Sequence, residues 1–298
     1  MTLHDGDTPV DADQLRRLLE EQRPDLADAP LQVVEGPGTD HVLVRVGDAL
    51  VARLPRNAPA AVSLGPELRW LPRLVDRLTL PLPRVEHEGV PGAGYPFVWA
   101  LLGWLDGHDL CAVVLDGQVP RTWADDLADL VTTLRAVDVS VDAPQGARGG
   151  DVATRAAGAD DVLTALAGRH RVGVLRRALD LGREAAPFAG PPVLLHADLI
   201  PGNLLHRDGR LTGLLDLGAL TTGDPAWDLT PAWWVLDAPG RSRLRDLLGG
   251  DDAVWARARA LATVQGALAT WHYTPGRHPL AALGDRALQQ VAADLSRA

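Results

Sequence analysis

Lysine is absent: all 29 basic positions of the 298-residue chain are arginine. With alanine, glycine and proline abundant, this reads as a GC-rich coding bias and carries no functional signal of its own. Cysteine occurs once, at Cys111, which excludes an internal disulfide and suits a reducing compartment. Its plainest role is that of a small buried hydrophobe. No run of about 18 apolar residues occurs, so no membrane span is expected. The first residues, MTLHDGDTPVDADQ, lack a basic region followed by an apolar one, so no secretory leader is expected and a cytoplasmic location is. Positive charge is in deficit, since 29 basic against 39 acidic residues leave a net charge of −10. That balance argues against nucleic acid or an anionic membrane as the main partner and favours cationic small molecules. No internal repeat is visible. An apolar content of 46% suffices for a substantial core, and the length fits one large domain or two lobes.

The chain is organised around His196–Gly218, HADLIPGNLLHRDGRLTGLLDLG. Asp208-Gly209 lies between two apolar runs, a strong signal for a β-hairpin, because both turn positions need positive φ. Asn203 starts the hairpin and Asp216 follows its end, so antiparallel pairing brings the two ends side by side. Pro201-Gly202 forces a turn that folds Asp198 back toward them. One amide oxygen and two carboxylates then converge, a donor set that suits a hard ion such as Mg²⁺. A plainer reading makes Asp198 a turn cap and Asn203 and Asp216 solvated hairpin ends. The joint spacing H-x-D-x-x-x-x-N followed by D-x-G argues against it, because this is the catalytic-loop and metal-loop pattern of protein kinases.

With Gly223-Asp224-Pro225 and Asp228-Leu229 downstream, the chain resembles the aminoglycoside phosphotransferase family of kinase-like antibiotic kinases. The resemblance implies Asp198 as the base that orients the acceptor hydroxyl. It implies Asn203 and Asp216 as ligands of a Mg²⁺ that bridges the phosphates of ATP or GTP. Ala197 and Leu217 stand where the family more often has Gly and Phe. In the family Asp224 braces the catalytic loop through its backbone, while Asp228 is expected to cap the following helix. The resemblance covers essentially the whole chain, including the Arg-Leu-Pro strand, the Trp-Leu-Pro-Arg-Leu helix and the GDPAWDL loop.

Asp11 opens a first helix. Residues 31–35, 42–46 and 50–54 read as strands, with a glycine turn between the first two. In a kinase-like lobe, Gly36, Gly38 and Thr39 of that turn would lay backbone N–H groups over the phosphates. Arg53 on the third strand would take the α/β-phosphates, an Arg in place of the usual Lys, and Glu67, starting the next helix, would pair with it. The plainer alternative for these two is a surface ion pair of little energetic value. Residues 95–102 read as a long strand. At its end the resemblance places the hinge between lobes, with backbone groups of Gly103 and Leu105 reading the base. Helical periodicity takes over from about Leu110, and residues 142–151 and 220–228 read as loops. His196 is expected to hold the catalytic loop by hydrogen bonding. Trp233, Trp234, Asp237 and Trp271 are candidates for an acceptor site, with rings for stacking and an acid for pairing a cation. Of the adjacent pair Trp233 and Trp234, one is expected in the core and one facing the cleft.

The expectation is an α+β, protein-kinase-like two-lobed fold. Residues 1–103 form an antiparallel-sheet lobe that binds nucleotide, and residues 104–298 a mainly helical lobe that carries catalysis and the acceptor. The implied activity is transfer of the γ-phosphoryl of ATP or GTP, with Mg²⁺, to a hydroxyl of a small molecule such as an aminoglycoside or a macrolide, by a monomer or homodimer. A metabolic kinase for a sugar, amino alcohol or nucleoside shares every catalytic residue, and a nucleotide-binding pseudokinase is the alternative of another class.

Overall fold

A computed structural model describes residues 7–34, 40–146, 148–273, 276 and 278–296. The chain divides into two compact units, Met1–Asp106 with Leu214–Gly218, and Gly107–Gly213 with Ala219–Ala298.

The first unit holds helix α1 (Ala12–Gln22), strands β1 (Leu31–Val33), β2 (His41–Val46) and β3 (Leu50–Pro55), helix α2 (Ala58–Leu74), and strands β4 (Val85–Gly89) and β5 (Trp99–Gly103). The strands form one antiparallel sheet in the order β1-β2-β3-β5-β4. Asp11 caps α1 by accepting the Gln14 N–H at 2.8 Å, and Leu15, Leu18 and Leu19 bury the face that follows. They join a core with Val42, Val44, Val46, Ala52, Leu54 and Leu101. Side chains alternate across a strand. Val44 is paired with Ala52, and Leu43 with Arg53, so Arg53 lies on the face opposite this core, together with His41.

Helix α2 begins nine residues before Glu67, capped by Asn57, whose side chain accepts the Ala60 N–H at 3.1 Å. The expected start near Pro66 is therefore corrected. Pro66 removes one helical donor, but the carbonyl it would have served belongs to Val62, 75% exposed, where water can satisfy it. The strand expected over 95–102 begins only at Trp99. Tyr95 closes a tight turn with Gly92 through two backbone hydrogen bonds of 2.8 and 3.1 Å, and Pro96, without an N–H, stops pairing there.

The second unit starts with strand β6 (His108–Asp109), followed by helices α3 (Cys111–Leu115), α4 (Thr122–Arg135), α5 (Val152–Ala156), α6 (Ala159–Ala165) and α7 (Val172–Glu184). Strands β7 (Val193–Leu195), β8 (Leu204–Arg207), β9 (Arg210–Leu214) and β10 (Thr221–Gly223) precede helices α8 (Pro231–Trp234), α9 (Ala238–Leu248), α10 (Asp252–His272) and α11 (Pro279–Leu295). Strand β10 lies inside the stretch expected as a loop, and pairs antiparallel with β7. The β8–β9 connection has φ of 51° at Asp208 and 77° at Gly209, the conformation expected from Asp-Gly. Among the described residues no helix is long and apolar enough to cross a membrane.

Helices α10 and α11 meet backbone to backbone. A Cβ on Gly284 would lie 2.8 Å from the Gly266 carbonyl oxygen and 2.7 Å from Thr270 Oγ1. Gly284→Ala is therefore expected to lower unfolding stability by about 1–3 kcal/mol, the range for overpacking a tight contact. An unchanged denaturation midpoint would show that the helices separate without cost.

Candidate active site

In the first unit, strand alternation and the α2 register put three charged side chains together. Arg53 donates through one Nη to Glu67 Oε1 at 2.5 Å and through the other to Asp216 Oδ1 at 2.7 Å. Arg53 and Glu67 are buried, with side-chain exposures of 8% and 2%, so their pairing is an interior one. Asp216 has φ of 61°, a left-handed conformation that Asp tolerates better than most residues. Its Oδ1 also accepts the Gly218 N–H at 3.1 Å. Burial works against charge on Asp216, but Arg53 and the Gly218 N–H hold its carboxyl well below the usual carboxylate range. Burial pushes the Glu67 carboxyl up to about 7, against the pull of Arg53. His41, with Nδ1 3.4 Å from an Arg53 Nη, is driven down to about 3 by burial and by the neighbouring guanidinium. It is neutral, and it had no signal in the sequence beyond its place at the head of a strand.

In the second unit, β7 delivers the chain into the bend His196–Asp198. Ala197 has φ of 62° and is fully buried, a conformation that costs a non-glycine residue about 1–2 kcal/mol. The bend is held by Asp228, whose two carboxylate oxygens accept the His196 N–H at 2.9 Å and the Ala197 N–H at 2.7 Å. Asp224 instead accepts the Ala226 N–H at 3.0 Å, capping a 3₁₀ turn at Pro225–Leu229, and forms a buried pair with Arg257 at 2.6 Å. The expected roles of Asp224 and Asp228 are therefore exchanged: Asp228 braces the His196–Asp198 bend, and Asp224 is the cap. His196 is fully buried, and its Nδ1 accepts the Asp198 N–H at 3.2 Å.

Asn203 directs its amide N–H groups to Asp198, to the main-chain oxygen at 2.9 Å and to Oδ2 at 3.3 Å. Among the described residues its side-chain oxygen has no protein donor, and neither has Asp216 Oδ2. Each is an oxygen of the kind a hard cation prefers. Among the described residues no cluster of three or more His, Cys, Asp or Glu side chains could hold a metal.

The remaining sequence candidates fare differently. Gly36, Gly38 and Thr39 lie outside the described residues. The N–H of Gly103 is already donated to the Arg84 carbonyl at 2.8 Å, so it is not available to read a base. Among the described residues the Leu105 N–H has no protein partner. Gly103, Trp104 and Leu105 line a cavity of about 380 Å³ with Val75, Leu82 and Arg84. Trp233 and Trp234 are both buried, at 1% and 2% exposure, against the expectation that one of them faces the cleft. Trp233 donates to Asp294 at 3.2 Å and meets the Trp255 ring edge-on. Asp237 caps α9 by accepting the Gly240 N–H at 2.9 Å. Trp271 alone of the four aromatic and acidic candidates is well exposed, at 57%.

The sequence model of the phosphotransferase enzyme family matches residues 31–261. The chain belongs to this family. Among solved structures, the GDP complex of wild-type aminoglycoside 2′-phosphotransferase-IIIa aligns with a TM-score of 0.70 at 19% identity, over 96% of this chain and 99% of that one. The apoenzyme of macrolide 2′-phosphotransferase MphH from Brachybacterium faecium aligns with a TM-score of 0.58 at 22% identity, over 88% and 91%. These likenesses establish a protein-kinase-like α+β fold. A curated relative, non-heme chloroperoxidase CPO-A1 of Kitasatospora aureofaciens, is 31% identical over 161 residues, 54% of this chain and 50% of that protein. The chain thus spans about half the length of the curated relative it matches.

For this phosphotransferase-family chain the bend at Ala197 predicts two opposite stability changes. Asp228→Ala orphans two buried N–H donors and should cost at least about 2 kcal/mol. Ala197→Gly removes the strain and should gain up to about 1 kcal/mol. Denaturant unfolding measures both, and a gain from the first or a loss from the second would show that the bend is not held as described.

Proposed function

We propose that the chain transfers the γ-phosphoryl group of ATP or GTP to a hydroxyl of a small molecule, with an antibiotic such as an aminoglycoside or a macrolide as the acceptor. The observation that carries this reading is the bend in which Asp198 is fixed by its neighbours. Its backbone is held through His196 and the Asp228 brace, and its carboxylate is met by Asn203. A carboxylate held in one place is what a positioning base needs, since phosphoryl transfer depends on alignment and charge neutralisation. Asn203 and Asp216 would hold Mg²⁺ through the oxygens that protein donors leave open. The ion, when bound, neutralises charge on the phosphates.

Arg53 is the cation of the first unit suited to the phosphates. Both its Nη atoms bond to carboxylates, so a phosphate oxygen would take over the bond now made to Asp216. Glu67 keeps the other half of the guanidinium in place meanwhile. The net charge of −10 favours a cationic acceptor by long-range attraction. The family membership and the acceptor classes of its structural neighbours support an antibiotic over other hydroxylated metabolites.

Two variants separate the roles. Asp198→Ala should abolish transfer, by at least about a hundredfold, the lower range for losing a general base, and leave nucleotide affinity within about twofold. Asp216→Ala should weaken Mg²⁺-dependent nucleotide binding, read by calorimetry with and without the ion. Transfer retained by the first, or unchanged Mg²⁺-dependent affinity in the second, would remove that residue from its role.

A further inference from the structure

The segment before α5 is laid directly on β10. Thr221 Oγ1 accepts the Gly146 N–H at 3.1 Å and donates to the Arg148 carbonyl at 3.3 Å. Trp227 Nε1 donates to the Gly150 carbonyl at 3.0 Å. Gly149 has φ of +87°, and a Cβ on it would lie 2.7 Å from the Thr222 carbonyl oxygen. A Cβ on Gly223 would lie 2.2 Å from the Gly149 carbonyl oxygen. The two backbones therefore touch with no room for a side chain between them. Because β10 pairs with β7, the segment is tied to the strand that leads into His196–Asp198.

This anchoring presents one side chain to the catalytic loop. Arg148 donates to the Ala197 carbonyl oxygen at 2.9 Å and to Asp198 Oδ1. The other Asp198 oxygen faces Asn203 Nδ2. The carboxylate that would receive a hydroxyl proton is thus held on both oxygens, and the stronger of the two bonds is charge-assisted. Arg148 carries no signal in the sequence, since it stands in a Gly-rich stretch without periodicity.

We propose that Arg148 is a specificity-determining residue that sets the acceptor against water, by holding Asp198 Oδ1 until an acceptor displaces it. The proposal rests on the reading of Asp198 as the group that orients the acceptor hydroxyl. In the side reaction it restrains, a water oxygen bonds to the γ-phosphorus and the bond from that phosphorus to the β–γ bridging oxygen breaks. The nucleoside diphosphate leaves, and the water proton passes to Asp198 and then to solvent, giving inorganic phosphate. A single water makes too few contacts to replace a guanidinium anchored at both Ala197 and Asp198. A larger acceptor, held by contacts of its own, can.

The test is acceptor-free hydrolysis of Mg·ATP and Mg·GTP. Arg148→Ala should raise it about tenfold or more, the scale of one charge-assisted hydrogen bond. Mg·ATP affinity by calorimetry should stay within about twofold. Arg148→Lys, which keeps a cation but loses the fork, should fall between. Thr221→Val, which removes the anchor of the Arg148 main chain and keeps the side-chain shape, should raise hydrolysis in the same direction by less. These two variants also carry the test if Arg148→Ala does not fold. Hydrolysis that is unchanged or lower in a folded Arg148 variant overturns the proposal. So does a rise that persists in the Arg148→Ala, Asp198→Ala double variant, since the gain would then bypass Asp198. The base assignment itself is judged separately, by acceptor transfer in Asp198→Ala alone.

Discussion

A single buried guanidinium shared by two carboxylates organises the first unit. Arg53 lies between Glu67 and Asp216, beside a neutral His41. Breaking such a buried cluster by removing one member costs several kcal/mol, yet apolar replacements of similar shape often do as well or better. Stability alone therefore does not account for it. The ionised Asp216, with one oxygen turned outward, makes it a place that gains from a further cation. The cluster also secures Leu214–Gly218 to the first unit. Leu217 N–H donates to Glu67 Oε1 at 3.3 Å, and Leu214 N–H to the Pro81 carbonyl at 3.0 Å. Arg53, in a chain without lysine, has a planar fork that serves two carboxylates at once.

The second unit relies on a different device. The His196–Asp198 bend has an alanine in a left-handed conformation, and local propensity would not choose it. It is imposed by the buried Asp228 carboxylate, taken from a turn 30 residues later in the chain. Burial pushes that carboxyl up, while the two N–H donors and the neighbouring His196 pull the other way. Local strain offset by long-range hydrogen bonds is a recurrent feature of functional loops. Here it leaves Asp198 with its backbone fixed and its side chain reachable by Asn203 on one oxygen and Arg148 on the other.

The parts of this arrangement that are local in sequence were legible there. The Asp-Gly hairpin, the Asp11 cap and the alternation of β2 and β3 follow from turn chemistry and periodicity. Arg53 and Glu67 were found by analogy to a kinase-like lobe, and the structure shows them bonded. What distance in sequence separates was not legible. The exchange between Asp224 and Asp228 depends on which carboxylate reaches a bend some thirty residues upstream, and both sit in one short motif. Trp233 and Trp234 occupy adjacent positions, which on a long helix would point apart. They lie in a four-residue helix packed on both sides, so the periodicity argument does not apply. His41 and Arg148 act through contacts that no spacing encodes.

The central claim is that these two charge arrangements serve phosphoryl transfer to a small hydroxylated acceptor. The direct measurement is transfer of labelled γ-phosphate from ATP and from GTP, with Mg²⁺, to a panel of aminoglycosides, macrolides, nucleoside and peptide antibiotics, sugars and amino alcohols. Label is expected on one antibiotic class. Label only on a sugar, amino alcohol or nucleoside would contradict the antibiotic assignment while leaving the kinase reading intact. Nucleotide binding without transfer to any member of the panel would contradict the claim of catalysis.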